Sequence, residues 1–158
     1  MSELIATGIS EEILKVLEKQ GMPIRRSLDL DIPPFPRDIT MIDDQELMVL
    51  STKYMENYNF MRTQVACAEL SETELENAYD IAEAKALLSK TSGKSTEKAT
   101  MLKASVITDE AIEKLANEKF YAHAYRKMLQ TMLDNLERSA QLTSRELTRR
   151  TSALRQRY

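Results

Sequence analysis

Apolar residues recur every seven positions from Leu47: Leu47, Tyr54, Met61, Ala68, Leu75 and Ala82. A second row, four residues on, runs Ser51, Tyr58, Val65, Glu72, Tyr79 and Ala86, apolar at four of its six stops. Two such rows form one stripe down a helix, and neither Gly nor Pro interrupts residues 43–90. The pattern predicts a first long helix, capped by Thr40 or by Asp43 with Glu46 at the capping-box position, running to about Ser89. At 1.5 Å per residue it is roughly 70 Å long, too long to bury its stripe inside a small domain, so it needs another long helix beside it.

The chain supplies that second helix. Residues 89–99 form a polar break containing Gly93, and Thr108 with Asp109 and Glu110 opens a new apolar stripe: Ile112, Leu115, Ala122, Leu129, Leu133, Leu136, Ala140, Leu147 and Leu154. Two long helices joined by a short break predict an antiparallel hairpin over 43–158, with a polar tip near 89–107. Residues 1–42 differ in character. Ser10 precedes Glu11, Glu12 and an apolar run that ends at Gly21, which predicts a short N-terminal helix. Pro23, Pro33, Pro34 and Pro36 then exclude helix, leaving an extended proline-rich arm. That arm is either a disordered tail or a strap lying on a neighbouring subunit, since Ile32, Phe35 and Ile39 are costly to leave wet.

Composition sharpens this to an all-α class. Aromatics make up 6%, with no Trp, too few for a broad core but enough for a thin helical seam; Val and Ile are sparse, so a sheet is not expected. Apolar residues also lie off both seams: Met48, Val49, Met55 and Phe60 on the first helix, and Phe120, Tyr121, Tyr125, Met128 and Met132 on the second. Self-association would cover them. Ile32, Phe35, Tyr54, Tyr58, Met61, Leu129 and Leu136 are the expected interface residues of a homo-oligomer. The alternative is that the N-terminal helix alone covers the second face. A single cysteine, Cys67, the lack of a signal-peptide pattern and the lack of an apolar run of spanning length predict a cytoplasmic protein without a membrane segment.

The net charge of −3 hides two basic segments: residues 90–108 carry +3 and residues 143–158 carry +4. Lys94, Lys98 and Lys103 surround the tip; Arg145, Arg149 and Arg150 sit at i, i+4 and i+5 on the second helix, among Thr143, Ser144, Thr148 and Thr151. Bases mixed with hydroxyls are what phosphate-backbone contact uses. The alternative is solubilising charge, with arginines favoured near a helix C-terminus.

No catalytic set emerges. Thr91-Ser92-Gly93-Lys94-Ser95-Thr96 ends like a P-loop, but Leu88 stands where its first Gly belongs and a helix precedes it in place of a strand. His123 has no carboxylate or cysteine neighbour at helical spacing on its own helix, and the acidic run Glu69, Glu72, Glu74, Glu76, Asp80, Glu83 reads as a solvated face. The chain reads as a non-enzyme without cofactor or metal.

Lys53-Tyr54 and Tyr58 on the first helix, Gly93-Lys94 at the break, Lys103 through Asp109 and Glu110, and Leu136-Glu137-Arg138 onward form a layout over residues 45–150. It resembles the phage recombination mediators of the UvsY type, within a broader likeness to small, Met-rich, all-helical tailed-phage proteins. The proline arm and the Arg-rich end depart from that pattern. The resemblance implies an oligomer that binds single-stranded DNA and helps load a recombinase in the host cell cytoplasm. A virion structural or assembly protein built as a ring or scaffold of hairpins, or a small adaptor or inhibitor of a host protein, are the competing expectations.

Overall fold

The computed structural model describes residues 2–91, 106 and 109–155, apart from the side chains of Thr91 and Leu154. Two long helices dominate it: α2 over Asp44–Thr91 and α3 over Glu110–Arg155. The cap of α2 is Asp43, whose Oδ1 accepts the Glu46 N–H at 2.8 Å. Thr40 is instead drawn into a 3-10 turn, Ile39–Met41, where Asp38 accepts its N–H. Asp109 caps α3 by accepting the Ala111 N–H. Thr108 and most of the polar tip, with Lys94, Lys98 and Lys103, lie outside the described residues, while residues 89–91 continue α2.

The helices lie side by side. Asp44 meets Arg150, Glu72 meets Arg126 and Glu76 meets Lys119, so positions advancing along α2 meet positions receding along α3. Their seam is the predicted one. Tyr54, Met61, Val65 and Ala68 interlock with Leu129, Leu133, Leu136 and Ala140, and Leu30, Leu50, Tyr58 and Tyr125 close its edges. Each large side chain buried here stabilises by about 1.5–3 kcal/mol. Burial fades past Glu72, where Leu75, Tyr79, Ala82 and Ala86 are only half-buried. Four residues expected at an oligomer interface, Tyr54, Met61, Leu129 and Leu136, are thus taken up by the intrachain seam, because the same heptad rows serve both purposes. Ile32 and Phe35 remain exposed, and Tyr58 is half-buried.

Residues 2–42 build a second layer on α2. Helix α1, Gly8–Lys19, turns Ser10 and Leu14 inward, and Phe60, Gln64 and Cys67 of α2 are buried as well. Two-residue strands β1 (Ser2–Glu3) and β2 (Ser27–Leu28) pair antiparallel, Ser2 opposite Leu28. No periodicity in the chain signals this strand pairing; Gln64 explains how so short a pair persists. Its amide accepts from the Ile5 N–H at 3.0 Å and donates to the Glu3 carbonyl at 2.7 Å, continuing the backbone pattern. Gly21 turns the chain at φ +81°, and Arg26 returns to grip Glu18 at 2.6 Å and Glu11 at 2.7 Å. The proline segment then lies on its own chain: Phe35 stacks on Tyr54 with ring centroids 6.2 Å apart, the Tyr54 hydroxyl donates to the Pro33 carbonyl, and Lys53 pairs with Asp31.

Gly8 is the tightest joint in this layer. It has φ +52°, and a Cβ there would lie 2.5 Å from the Glu74 carboxylate, which accepts the Ile9 N–H at 2.8 Å. Gly8→Ala is therefore expected to cost roughly 1–3 kcal/mol through backbone strain, and to push away the carboxylate that caps α1. Urea unfolding followed by circular dichroism measures it; an unchanged midpoint would refute this account of the joint.

Candidate nucleic-acid interface

The basic C-terminal half of α3 divides into two groups with different employment. Arg150 is committed inward. Its Nε donates to Glu146, Nη1 donates to the Ile42 carbonyl and to Asp44, and Nη2 donates to the Ile39 and Thr40 carbonyls, all within 3.1 Å. A guanidinium has five N–H donors in a fixed fork, and these five bonds use all of them. Arg150 clasps the start of α2. Arg149 grips the buried Glu146 with two hydrogen bonds, of 2.8 and 2.7 Å, while most of its side chain stays exposed. Arg149 foremost, and then Arg150, hold the Glu146 carboxyl at about 2, far below its ordinary 4.5.

Arg145 and Arg138 form the other group. Both are exposed, and neither forms a salt bridge with a described residue. Seven residues apart, they share one outward stripe of α3, about 10 Å from each other along the axis. Arg149 stands one turn beyond Arg145. Arg138 is a site residue that charge clustering alone does not single out, although its heptad spacing to Arg145 is readable in the sequence.

A cleft of about 350 Å³ opens beside Arg145, lined by Met55 and Tyr58 from α2 and Ala140 and Ser144 from α3. Sequence places no aromatic near this arginine except Tyr158. Helix pairing brings Tyr58 there, and only the register of the two helices reveals it. Glu137 also lines this cleft and limits how much anion it tolerates.

Elsewhere the polar clusters are structural. Glu72 is buried, against its reading as part of a solvated face, because its row points at α3. It receives Arg126 and stands 2.7 Å from His123 Nδ1, so the histidine's carboxylate partner comes from the facing helix. Burial alone would push the Glu72 carboxyl up, but the hydrogen bonds from Arg126 and His123 outweigh it and hold the carboxyl below its ordinary range. Cys67 is buried, which pushes its thiol up and away from reactivity. A groove of about 910 Å³ has Ile5, Leu75, Tyr121 and Tyr125 for walls and Glu110, Glu113 and Glu118 at its rim. It suits an apolar segment better than an anion.

No family model, curated protein or solved structure matches this chain. Among the described residues, no three His, Cys, Asp or Glu side chains are grouped as metal ligands, and no helix is long and apolar enough to cross a membrane.

Proposed function

We propose that this chain is a non-enzymatic, self-associating helical protein of the cytoplasm that binds single-stranded DNA through phosphate contacts and assists the loading of a recombinase. In this reading the long helices form an antiparallel hairpin, and the proline-rich segment is its arm. The observation that carries the reading is the outward stripe of α3, where Arg138 and Arg145 stand exposed with no described carboxylate paired to them. Hydroxyls and amides at Thr131, Gln141, Thr148 and Ser152 lie close by on that side of the helix. Outside residues 90–108 and 143–158 the chain is acidic, which would repel a polyanion from those other regions. Tyr58 and Met55 offer a base an apolar resting place beside Arg145.

Retention of a labelled oligonucleotide across a salt series tests this. The double variant Arg138→Ala/Arg145→Ala should bind more weakly for every base sequence, with a salt slope shallower by about 0.7 for each phosphate it no longer neutralises. Tyr58→Leu should weaken binding without changing that slope, since stacking releases no counterions. If the unmodified protein retains no oligonucleotide at low salt, the virion or adaptor reading replaces this one.

A further inference from the structure

Helix α1 is apolar on two sides. Ser10 and Leu14 point into the layer against α2. Ile9, Ile13 and Val16, spaced i, i+4 and i+7, point away from it and are 50%, 42% and 52% exposed. These three positions fall within about 60° of one another on a helix, so they make a narrow continuous ridge. Ile5 before the helix and Met22 after it are also half exposed. A short surface helix needs only one apolar side to dock, so a second side of aliphatic residues is a cost unless something covers it.

We propose that this ridge is where two copies of the chain pair, α1 against α1, antiparallel about a two-fold axis near Ile13. The charges beside the ridge choose that occupant. Glu12, Lys15 and Lys19 lie on one flank, all exposed, with the acid nearer the N-terminus and the bases nearer the C-terminus, and Lys15 also pairs with Glu11 of its own chain at 3.3 Å. A two-fold axis sets this flank against the same flank of the second copy with its direction reversed. Glu12 then meets Lys15 of the second copy, and Lys15 meets its Glu12, with Lys19 extending the basic end. Parallel pairing would set this flank against the opposite flank of the second copy and forgo these pairs. Antiparallel packing also opposes the two helix dipoles favourably. Glu11, Glu12 and Glu18 on this helix disfavour a nucleic acid or an anionic lipid surface as the occupant. An isologous contact closes at two copies, so any larger assembly uses a different face. A ridge of this size lies at the small end of specific interfaces, and association in the micromolar range is expected.

The proposal rests on the self-association reading, and sedimentation of the full chain without nucleic acid separates the two. The unmodified protein should show a dimer that dissociates on dilution. Ile13→Glu should weaken dimerisation at least about tenfold with helicity unchanged. Glu12→Lys should weaken it alone, and mixing that variant with Lys15→Glu/Lys19→Glu should restore dimers that contain one copy of each. These exposed charge changes leave the fold intact even where Ile13→Glu does not. An unmodified protein that stays monomeric overturns self-association itself. Ile13→Glu and charge-reversed chains that associate like the unmodified protein overturn the α1 ridge alone. Loss of binding to neutral phosphatidylcholine vesicles in Ile13→Glu, with no dimer in either protein, would assign the ridge to a lipid surface and also overturn it.

Discussion

A Leu136→Asp chain should lose its cooperative thermal transition. Leu136 is 4% exposed and sits in the middle of the α2–α3 seam, among Tyr54, Met61 and Leu133. Truncating such a residue to Ala costs about 2–5 kcal/mol. An aspartate forfeits the same burial and leaves a carboxylate without a partner in a seam that offers no cation. Breaking a buried pair costs about 3–5 kcal/mol because it strands a charge in this way. The sum is comparable to the whole stability of an ordinary domain, about 5–15 kcal/mol. Leu142→Asp is the matched control: Leu142 lies on the same helix but is 46% exposed, and the change should stay within about 0.5 kcal/mol. Thermal melts by circular dichroism check both. A Leu136→Asp protein that melts like the unmodified one would refute the seam.

The second large effect concerns Arg150. Arg150→Ala should open the junction between residues 39–44 and the end of α3 while leaving the middle of the seam closed. The side chain holds three backbone carbonyls, from Ile39, Thr40 and Ile42, and two carboxylates, Asp44 and Glu146. Its loss leaves those carbonyls to water and Glu146 with Arg149 alone. Amide exchange should rise about tenfold or more at Met41 and Glu46 and change little at Val65, because local opening is independent of global unfolding. Uniform acceleration at all three would show that the clasp stabilises the whole fold, and no change would show that it is not a clasp. Acid sharpens the test. The Glu146 carboxyl is held at about 2 against an ordinary 4.5, chiefly by Arg149 and then by Arg150. A depressed folded value contributes stability that is complete above 4.5 and is lost as pH falls from there toward 2. Glu146→Gln should remove that share of the acid sensitivity, giving a shallower loss of stability across this window.

The long helices are legible in the sequence because a heptad pattern over more than forty residues has few other solutions. Leu47, Tyr54, Met61, Leu129, Leu133 and Leu136 can be assigned to a seam from spacing alone. The pairing of specific residues across that seam is not legible, because periodicity fixes which side of a helix is buried and leaves the axial register open. Hence sequence groups Glu72 with the solvated acids, leaves His123 without a carboxylate, and does not bring Tyr58 to Arg145. Arg150 reads as free because composition counts charges and cannot show which backbone carbonyls surround them. The strand pair is invisible for another reason: two residues on each side carry no pattern, and their pairing depends on a glutamine more than thirty-five positions away.

The Arg150 clasp also bears on the order in which the chain folds. Turns within α2 and α3 join residues four apart and can form in about a microsecond or less. The clasp joins Asp44 to a residue 106 positions later, so the entropy of closing that loop must be met before any of its hydrogen bonds is gained. It therefore belongs to the last stage of assembly, after the seam has zipped. Contacts absent from the folding transition state act mainly on the rate of unfolding. The clasp is thus a latch on the finished protein, governing how long the native state lasts more than how quickly it is reached.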